Sequence, residues 1–139
     1  AFSPDGALLL TASNDRRAIC WNAETGTFLR ALHGHDDVVR SAVFSPDGAL
    51  VITASYDKTA VLWSAGTGER LRKLFGHDGW VVSAAFSLDG ALVLTASRDE
   101  TAKLWSVETG ECLCTLRGHG AGVNSAVTTL GVPTMGVLD

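Results

Sequence analysis

No apolar run in this sequence approaches the ~18 residues needed to cross a bilayer as a helix, so no transmembrane helix is expected. Charge is sparse: 19% of the chain, with 15 acidic and 11 basic residues and a formal net charge of −4. Together with an apolar content of 46%, that is not the composition of a disordered segment. A mildly acidic balance also argues against non-specific binding to nucleic acid or to an anionic membrane, and neither is expected as a partner. Arg16, Arg17, Arg70, Arg72 and Lys73 are scattered over turns and a strand and read as solvated surface. Proline is scarce, 3 residues against 15 glycines, which implies many tight turns. There is no glycine-rich phosphate loop, no HExxH and no GxSxG. The Asp-Gly pairs lack the spaced carboxylates and terminal Glu of a calcium loop.

Cysteine is scarce too. Cys20, Cys112 and Cys114 make an odd set without CxxC spacing, which argues against a disulfide framework or a zinc site. Cys112 and Cys114 are two apart and would share one face of a strand. Small packing residues in a reducing compartment are the expectation. The alternative, a redox or soft-metal pair, finds no further ligand nearby. No charged segment precedes an apolar one at Ala1, so no secretory signal is visible, and cytoplasm or nucleus is expected.

What the chain does have is a repeat. Trp21, Trp63 and Trp105 are 42 residues apart. The pairs Gly34-His35, Gly76-His77 and Gly118-His119 keep the same period, as do Asp5-Gly6, Asp47-Gly48 and Asp89-Gly90. Thr25-Gly26, Thr67-Gly68 and Thr109-Gly110 follow it as well. Phe44–Ala85 aligned on Phe86–Val127 gives 26 identities in 42 positions without a gap. Each copy must therefore fit beside a neighbour like itself.

Within a copy the signals are β. Val38–Phe44 is rich in β-branched and aromatic residues. Ser45-Pro46-Asp47-Gly48 is a turn, and Ala49–Ser55 is a second apolar run. After the polar Tyr56-Asp57-Lys58, Thr59–Trp63 is a third strand. Beyond the Ala65–Gly68 turn, Arg70–Leu74 is a fourth. Four short strands in about 42 residues, with no helical period, match one propeller blade.

The Gly-His pair, the Trp near the end of the third strand and the Asp six residues before it resemble the WD40 repeat family, over Ala1 to about Val127. Asn22, Ser64 and Ser106 stand after the Trp where the family often has Asp. The resemblance implies an all-β fold of four-stranded antiparallel blades, here an incomplete ring. It also implies a hydrogen-bonded tetrad in each blade: His35, Thr53, Asp57 and Trp63 in one, and His77, Thr95, Asp99 and Trp105 in the next. Thr11, Asp15 and Trp21 stand without their His, and His119 without its partners. Polar groups in a sheet core must be bonded, and the order Trp, Thr, His, Asp satisfies every donor and acceptor. A hydroxyl, a His and an Asp also resemble a catalytic triad. A nucleophile, however, occurs once and in a cleft, whereas this set recurs and ends on a bulky Trp. The structural reading is preferred, with no catalytic residue, cofactor or metal expected. A His33-x-His35 metal pair finds no counterpart of His33 in the other copies, where Phe75 and Arg117 stand.

Propellers close with four to eight blades, more than 139 residues can supply at this period. The expected repeat region is 1–128: a partial blade 1–33, blades 34–75 and 76–117, and a first strand of a further blade in 118–128, near Gly122–Thr128. Residues 129–139 read as a divergent tail, because Thr128-Thr129-Leu130-Gly131-Val132 replaces the expected Phe-Ser-Pro-Asp-Gly motif. The chain therefore reads as a piece of a longer propeller protein, or as one half of a strand-exchanged homodimer with six blades.

The functional expectation is a scaffold for a protein or peptide partner, as the resemblance implies. The alternatives are the recognition segment of a larger signalling protein with a nucleotide-binding or kinase domain, and a standalone enzyme. Family resemblance puts contact residues on the face carrying the loop after Gly-His and the turn before the tetrad Asp. The positions there that differ between copies are Asn14, Tyr56 and Arg98, then Val38 and Arg40, Trp80 and Val82, and Gly122 and Asn124. Trp80 stands out as the one Trp outside the repeated position. It either anchors a partner or packs on a neighbouring loop.

Overall fold

The computed structural model describes residues 1–127. Eleven strands form three antiparallel sheets. The first blade holds β1 (Leu8–Ala12), β2 (Ala18–Asn22) and β3 (Phe28–Leu32). The second holds β4 (Val39–Phe44), β5 (Leu50–Ser55), β6 (Ala60–Ser64) and β7 (Arg70–Leu74). The third holds β8 (Val81–Phe86), β9 (Leu92–Ser97), β10 (Ala102–Ser106) and β11 (Cys112–Leu116). Strand order within each sheet follows the chain, so each blade is a meander. The three do not close into a ring. Among the described residues there is no helix, hence none long and apolar enough to cross a membrane.

The apolar runs are continuous rather than alternating because the middle strands are covered on both sides. In β5, every residue from Val51 to Ser55 is buried. Val51 and Trp63 face the first blade and pack with Leu10, Cys20 and Leu32. Ile52, Leu62 and Leu74 face the third and pack with Val81, Val93 and Trp105. The second and third blades thus each present their Trp to the blade before them. The outer strand β7 keeps Arg70, Leu71 and Arg72 at the surface.

The Ser-x-Asp-Gly turns are closed by their own side chains. Ser45 Oγ donates to Asp47 Oδ1 at 2.7 Å, Asp47 Oδ1 accepts the Ala49 N–H at 2.9 Å, and the Gly48 N–H reaches Ser45 O at 2.9 Å. Ser87 and Asp89 repeat the arrangement, with Leu88 in place of the proline.

Arginine clasps join the blades. Arg30 Nη1 leaves β3 and donates to Ala65 O in the second blade at 2.8 Å. Arg72, one repeat later, donates from Nη1 to Thr109 O at 3.2 Å and from Nη2 to Glu108 O in the third. Each stem lies against a glycine: a Cβ on Gly68 or Gly110 would come 3.2 Å from the arginine Cδ. Arg72 is therefore not the freely solvated cation that its sequence context implies.

Two other expectations need correction. Cys112 and Cys114 do not share a face. A β-bulge pairs Trp105 with Cys112 and Leu104 with Cys114, and the extra residue resets the alternation. Cys112 Sγ lies 3.7 Å from Thr115 Oγ1, whereas Cys114 packs on the Leu94–Ala102–Leu104 cluster. Residues 122–127 form no strand, because among the described residues no ladder partner lies beside them; the Val123 N–H reaches Ser97 O at 2.8 Å. Residue 128 and the 129–139 segment lie outside the described residues.

Candidate interaction face

The tetrad residues meet as side chains. His35 precedes β4, Thr53 lies on β5, Asp57 in the β5–β6 turn and Trp63 on β6. Trp63 Nε1 donates to Thr53 Oγ1 at 2.8 Å. Thr53 Oγ1 and His35 Nε2 are 2.6 Å apart, and His35 Nδ1 is 2.8 Å from Asp57 Oδ2. One proton order satisfies all four: Trp63 to Thr53, Thr53 to a neutral His35, and His35 to Asp57. Asp57 also accepts the Asp36 N–H and both the N–H and hydroxyl of Thr59. Burial works to raise its carboxyl, but the bonds from His35, Thr59 and Asp36 outweigh this and hold it well below the usual carboxylate range. The third blade repeats the geometry, with His77 2.7 Å from Thr95 and 2.8 Å from Asp99, and Trp105 2.8 Å from Thr95. There burial pushes the His77 imidazole below its ordinary value against the pull of Asp99.

The first blade holds only part of the set. Trp21 Nε1 donates to Thr11 Oγ1 at 2.8 Å. Asp15 is held by Arg17, whose Nε and Nη2 lie 3.1 and 2.9 Å from Oδ2. Arg17 stands where the other blades have Thr59 and Thr101.

The tetrad Asp turns open onto a face crossed by pairs of loops. Trp80 lies flat on Tyr56 of the second blade, with ring centroids 3.8 Å apart and planes 10° from parallel. Arg98 brings its guanidinium carbon 5.6 Å from the Trp80 centroid. Backbone bonds fix both ends: the Tyr56 N–H to Val38 O and the Arg98 N–H to Trp80 O, each 2.9 Å. Trp80 nonetheless keeps 42% of its surface exposed. At the next position around, Arg98 meets Gly122, where a Cβ would fall 3.0 Å from Arg98 Cδ and 3.1 Å from its Cα. Asn14 and Val38 hold the matching places between the first and second blades, where the Val39 N–H reaches Ser13 O at 3.0 Å. The structure thus brings together Tyr56, Trp80 and Arg98. Arg40 and Asn124 are exposed and Val82 half-buried, one step beyond the stack.

A family model described as WD domain, G-beta repeat matches residues 1–22, 26–64 and 68–106. The chain belongs to the WD40 repeat family. No curated protein matches it. WD40 repeats generally mediate protein–protein interaction, and WD40 proteins are typically non-enzymatic. In this WD40 array the sequence named Tyr56, Trp80 and Arg98 separately; it did not pair them. Their 24-residue offsets, 56 to 80 and 98 to 122, are the signal that could have done so. The WD40 clasps, Arg30 and Arg72, escaped notice because their acceptors are backbone carbonyls, although both keep the 42-residue period.

Proposed function

We propose that this chain is a non-catalytic WD40 module that binds a protein or peptide through the loop face centred on Trp80, Tyr56 and Arg98. The supporting observation is the stack itself: a half-exposed Trp held flat on a Tyr and flanked by a cation. Trp, Tyr and Arg are the usual interface anchors. Rings already immobilised in the free protein lose little freedom on binding. Arg98 carries no ion pair or hydrogen bond on its guanidinium among the described residues, so its five donors are open to a partner. Asn14, Val38, Arg40, Val82 and Asn124 surround this centre as the rim.

The tetrads in this reading are internal ties, not catalytic sets. Thr53 and Thr95 have no accessible surface, each already accepts from a Trp, and the arrangement recurs from blade to blade. A hydroxyl in that position reaches no substrate.

The test compares the triple variant Trp80→Ala/Tyr56→Ala/Arg98→Ala with a variant of the opposite face, Leu88→Ser, in quantitative affinity capture with the unfolding midpoint measured alongside. Bound proteins should disappear with the triple variant and persist with the control, both chains remaining folded. Equal capture by the two would reject this face.

A further inference from the structure

The chain holds four Asp-Gly pairs, and the fold treats one of them differently from the other three. Asp5-Gly6, Asp47-Gly48 and Asp89-Gly90 lie in the turns that lead into β1, β5 and β9. In each the carboxylate is taken. Asp5 Oδ1 accepts from Ser3 Oγ at 2.6 Å and from the Ala7 N–H at 2.9 Å. Asp47 accepts in the same way from Ser45 and Ala49, and Asp89 from Ser87 and Ala91. The glycine N–H is taken as well: Gly6, Gly48 and Gly90 donate to the carbonyls of Ser3, Ser45 and Ser87, each at 2.9 Å.

Asp78-Gly79 lies elsewhere, in the loop between His77 of the tetrad and Trp80 of the exposed stack. Asp78 is exposed. Among the described residues its carboxylate accepts no hydrogen bond and joins no ion pair, and the Gly79 N–H has no acceptor. The loop is nonetheless pinned around the pair. The Asp78 N–H donates to Asp99 Oδ2 at 3.0 Å, Ser97 Oγ donates to Gly79 O at 3.2 Å, and the Arg98 N–H donates to Trp80 O at 2.9 Å. A Cβ on Gly79 would fall 2.9 Å from the Asp99 nitrogen. Close passage over the β9–β10 turn, rather than a positive φ, therefore sets a glycine after this aspartate.

An aspartate followed by glycine carries an electrophile and a nucleophile in one dipeptide, with no side chain on the glycine to hinder their meeting. The Gly79 nitrogen adds to Cγ of the protonated Asp78 carboxyl. The N–Cγ bond forms, the Cγ–OH bond breaks, and the amide proton leaves with the hydroxyl as water, closing a five-membered succinimide. Water then adds to either ring carbonyl. Opening at Cγ restores aspartate. Opening at the Asp78 backbone carbonyl leaves the chain running through Cβ and Cγ, with the former backbone carbonyl as a free carboxylate. The water lost is regained, so neither mass nor charge changes. At Asp5, Asp47 and Asp89 the hydrogen bonds on both reacting groups must break before the ring can close. At Asp78 there are none to break.

We propose that Asp78-Gly79 is a site of spontaneous isoaspartate formation in the folded protein, and that the change displaces Trp80 by adding one methylene to the backbone between it and His77. The bonds to Asp99 Oδ2 and Trp80 O fix the span of that loop, and a longer backbone cannot keep both in register. Asp5, Asp47 and Asp89 share the dipeptide and the chain and serve as internal controls. The inference does not depend on what the face around Trp80 binds.

The test is ageing of the full chain at neutral pH and body temperature, once native and once in urea, in water enriched in heavy oxygen. Each ring opening incorporates the label, and peptide mapping then quantifies isoaspartate at all four pairs. In the native chain Asp78 should exceed Asp5, Asp47 and Asp89 by about tenfold or more, the worth of a hydrogen bond to a charged group. In urea the four should become comparable. Hydrogen exchange at the Arg98 amide, the donor to Trp80 O, should speed up in proportion to the isoaspartate at Asp78. It should stay slow in an equally aged Asp78→Ser chain. Equal isoaspartate at the four pairs of the native chain overturns the site, as does none at Asp78 where urea permits it. Arg98 exchange that does not follow the isoaspartate fraction overturns the displacement of Trp80.

Discussion

Trp80 and Tyr56 belong to different blades and lie face to face, 3.8 Å between ring centroids. The stack is both a blade-to-blade contact and the centre of the exposed loop face. Trp80→Ala should therefore lower stability modestly, by about 0.5–1.5 kcal/mol, the usual worth of an aromatic pair. A double-mutant cycle with Tyr56→Ala, followed by urea unfolding, would measure the coupling directly. A coupling near zero would mean that the stack contributes nothing to holding the blades together.

The buried relay predicts a larger effect deeper in the blade. His35→Ala leaves Asp57 and Thr53 without their shared partner and should cost about 1–3 kcal/mol, the price of orphaned buried polar groups. Because His35 lies between Thr53 and Asp57, Thr53→Val should be comparably harmful, despite its similar volume. An unfolding midpoint unchanged in either variant contradicts the relay.

Acid should weaken the fold in two stages. His77 has its folded-state value held below the ordinary 6.5. Its contribution is full above about that pH and declines as the pH falls towards the depressed folded value, because the unfolded chain takes up the proton first. Asp57 and Asp99 are held below their ordinary 3.8. They keep their contribution above that value and lose it on further acidification. Melting temperatures followed from pH 8 to pH 3 should show both declines. His77→Gln should flatten the first and leave the Asp57 part of the second, while weakening the Asp99 part, which His77 helps to hold down.

The arginine clasps make a mechanical prediction about one turn. Arg72→Ala removes the donors to Thr109 O and Glu108 O. It should destabilise by about 1 kcal/mol, the typical net worth of an intramolecular hydrogen bond. Hydrogen exchange in residues 106–111 should speed up more than exchange elsewhere. Arg72→Met, which keeps much of the stem over Gly110, separates packing from hydrogen bonding. Uniform exchange across the blade in both variants would argue that the clasp is incidental.

The turns before β2, β6 and β10 hold Arg16, Lys58 and Glu100 at φ of 73°, 74° and 73°. These are left-handed positions that glycine occupies more cheaply. Lys58→Gly should stabilise the chain by about 0.5–1 kcal/mol, read from the chemical denaturation midpoint. A loss of stability there would mean that the Lys58 side chain contributes more than its backbone costs.

Strands and tetrads were legible because the period repeats what the fold repeats. As read from sequence, Val38–Phe44 differs from β4 by one residue at its start, and Thr59–Trp63 differs from β6 by one residue at each end. The tetrads could be named because the family resemblance supplies the set and each member has a fixed place in its copy. What escaped depended on partners that carry no side-chain signature. Arg30 and Arg72 end on carbonyl oxygens. Cys112 and Cys114 were misassigned because one extra residue in β11 changes the parity of a strand without leaving a mark in composition. Residues 122–127 have a strand's residues but, among the described residues, no neighbour to pair with, and pairing, not propensity, makes a strand.

The alternation in β5, where Val51 turns to one neighbouring blade and Ile52 to the other, has a consequence for assembly as a whole. The two sides of a blade are complementary to each other rather than to themselves, which makes the contact heterologous: head to tail, and repeatable without limit. Nothing in the affinity of one blade for the next tells the array where to stop. Only curvature does, by bringing the last free side around to the first. A change that flattened the angle between blades, leaving every contact intact, would convert a ring-former into a filament-former.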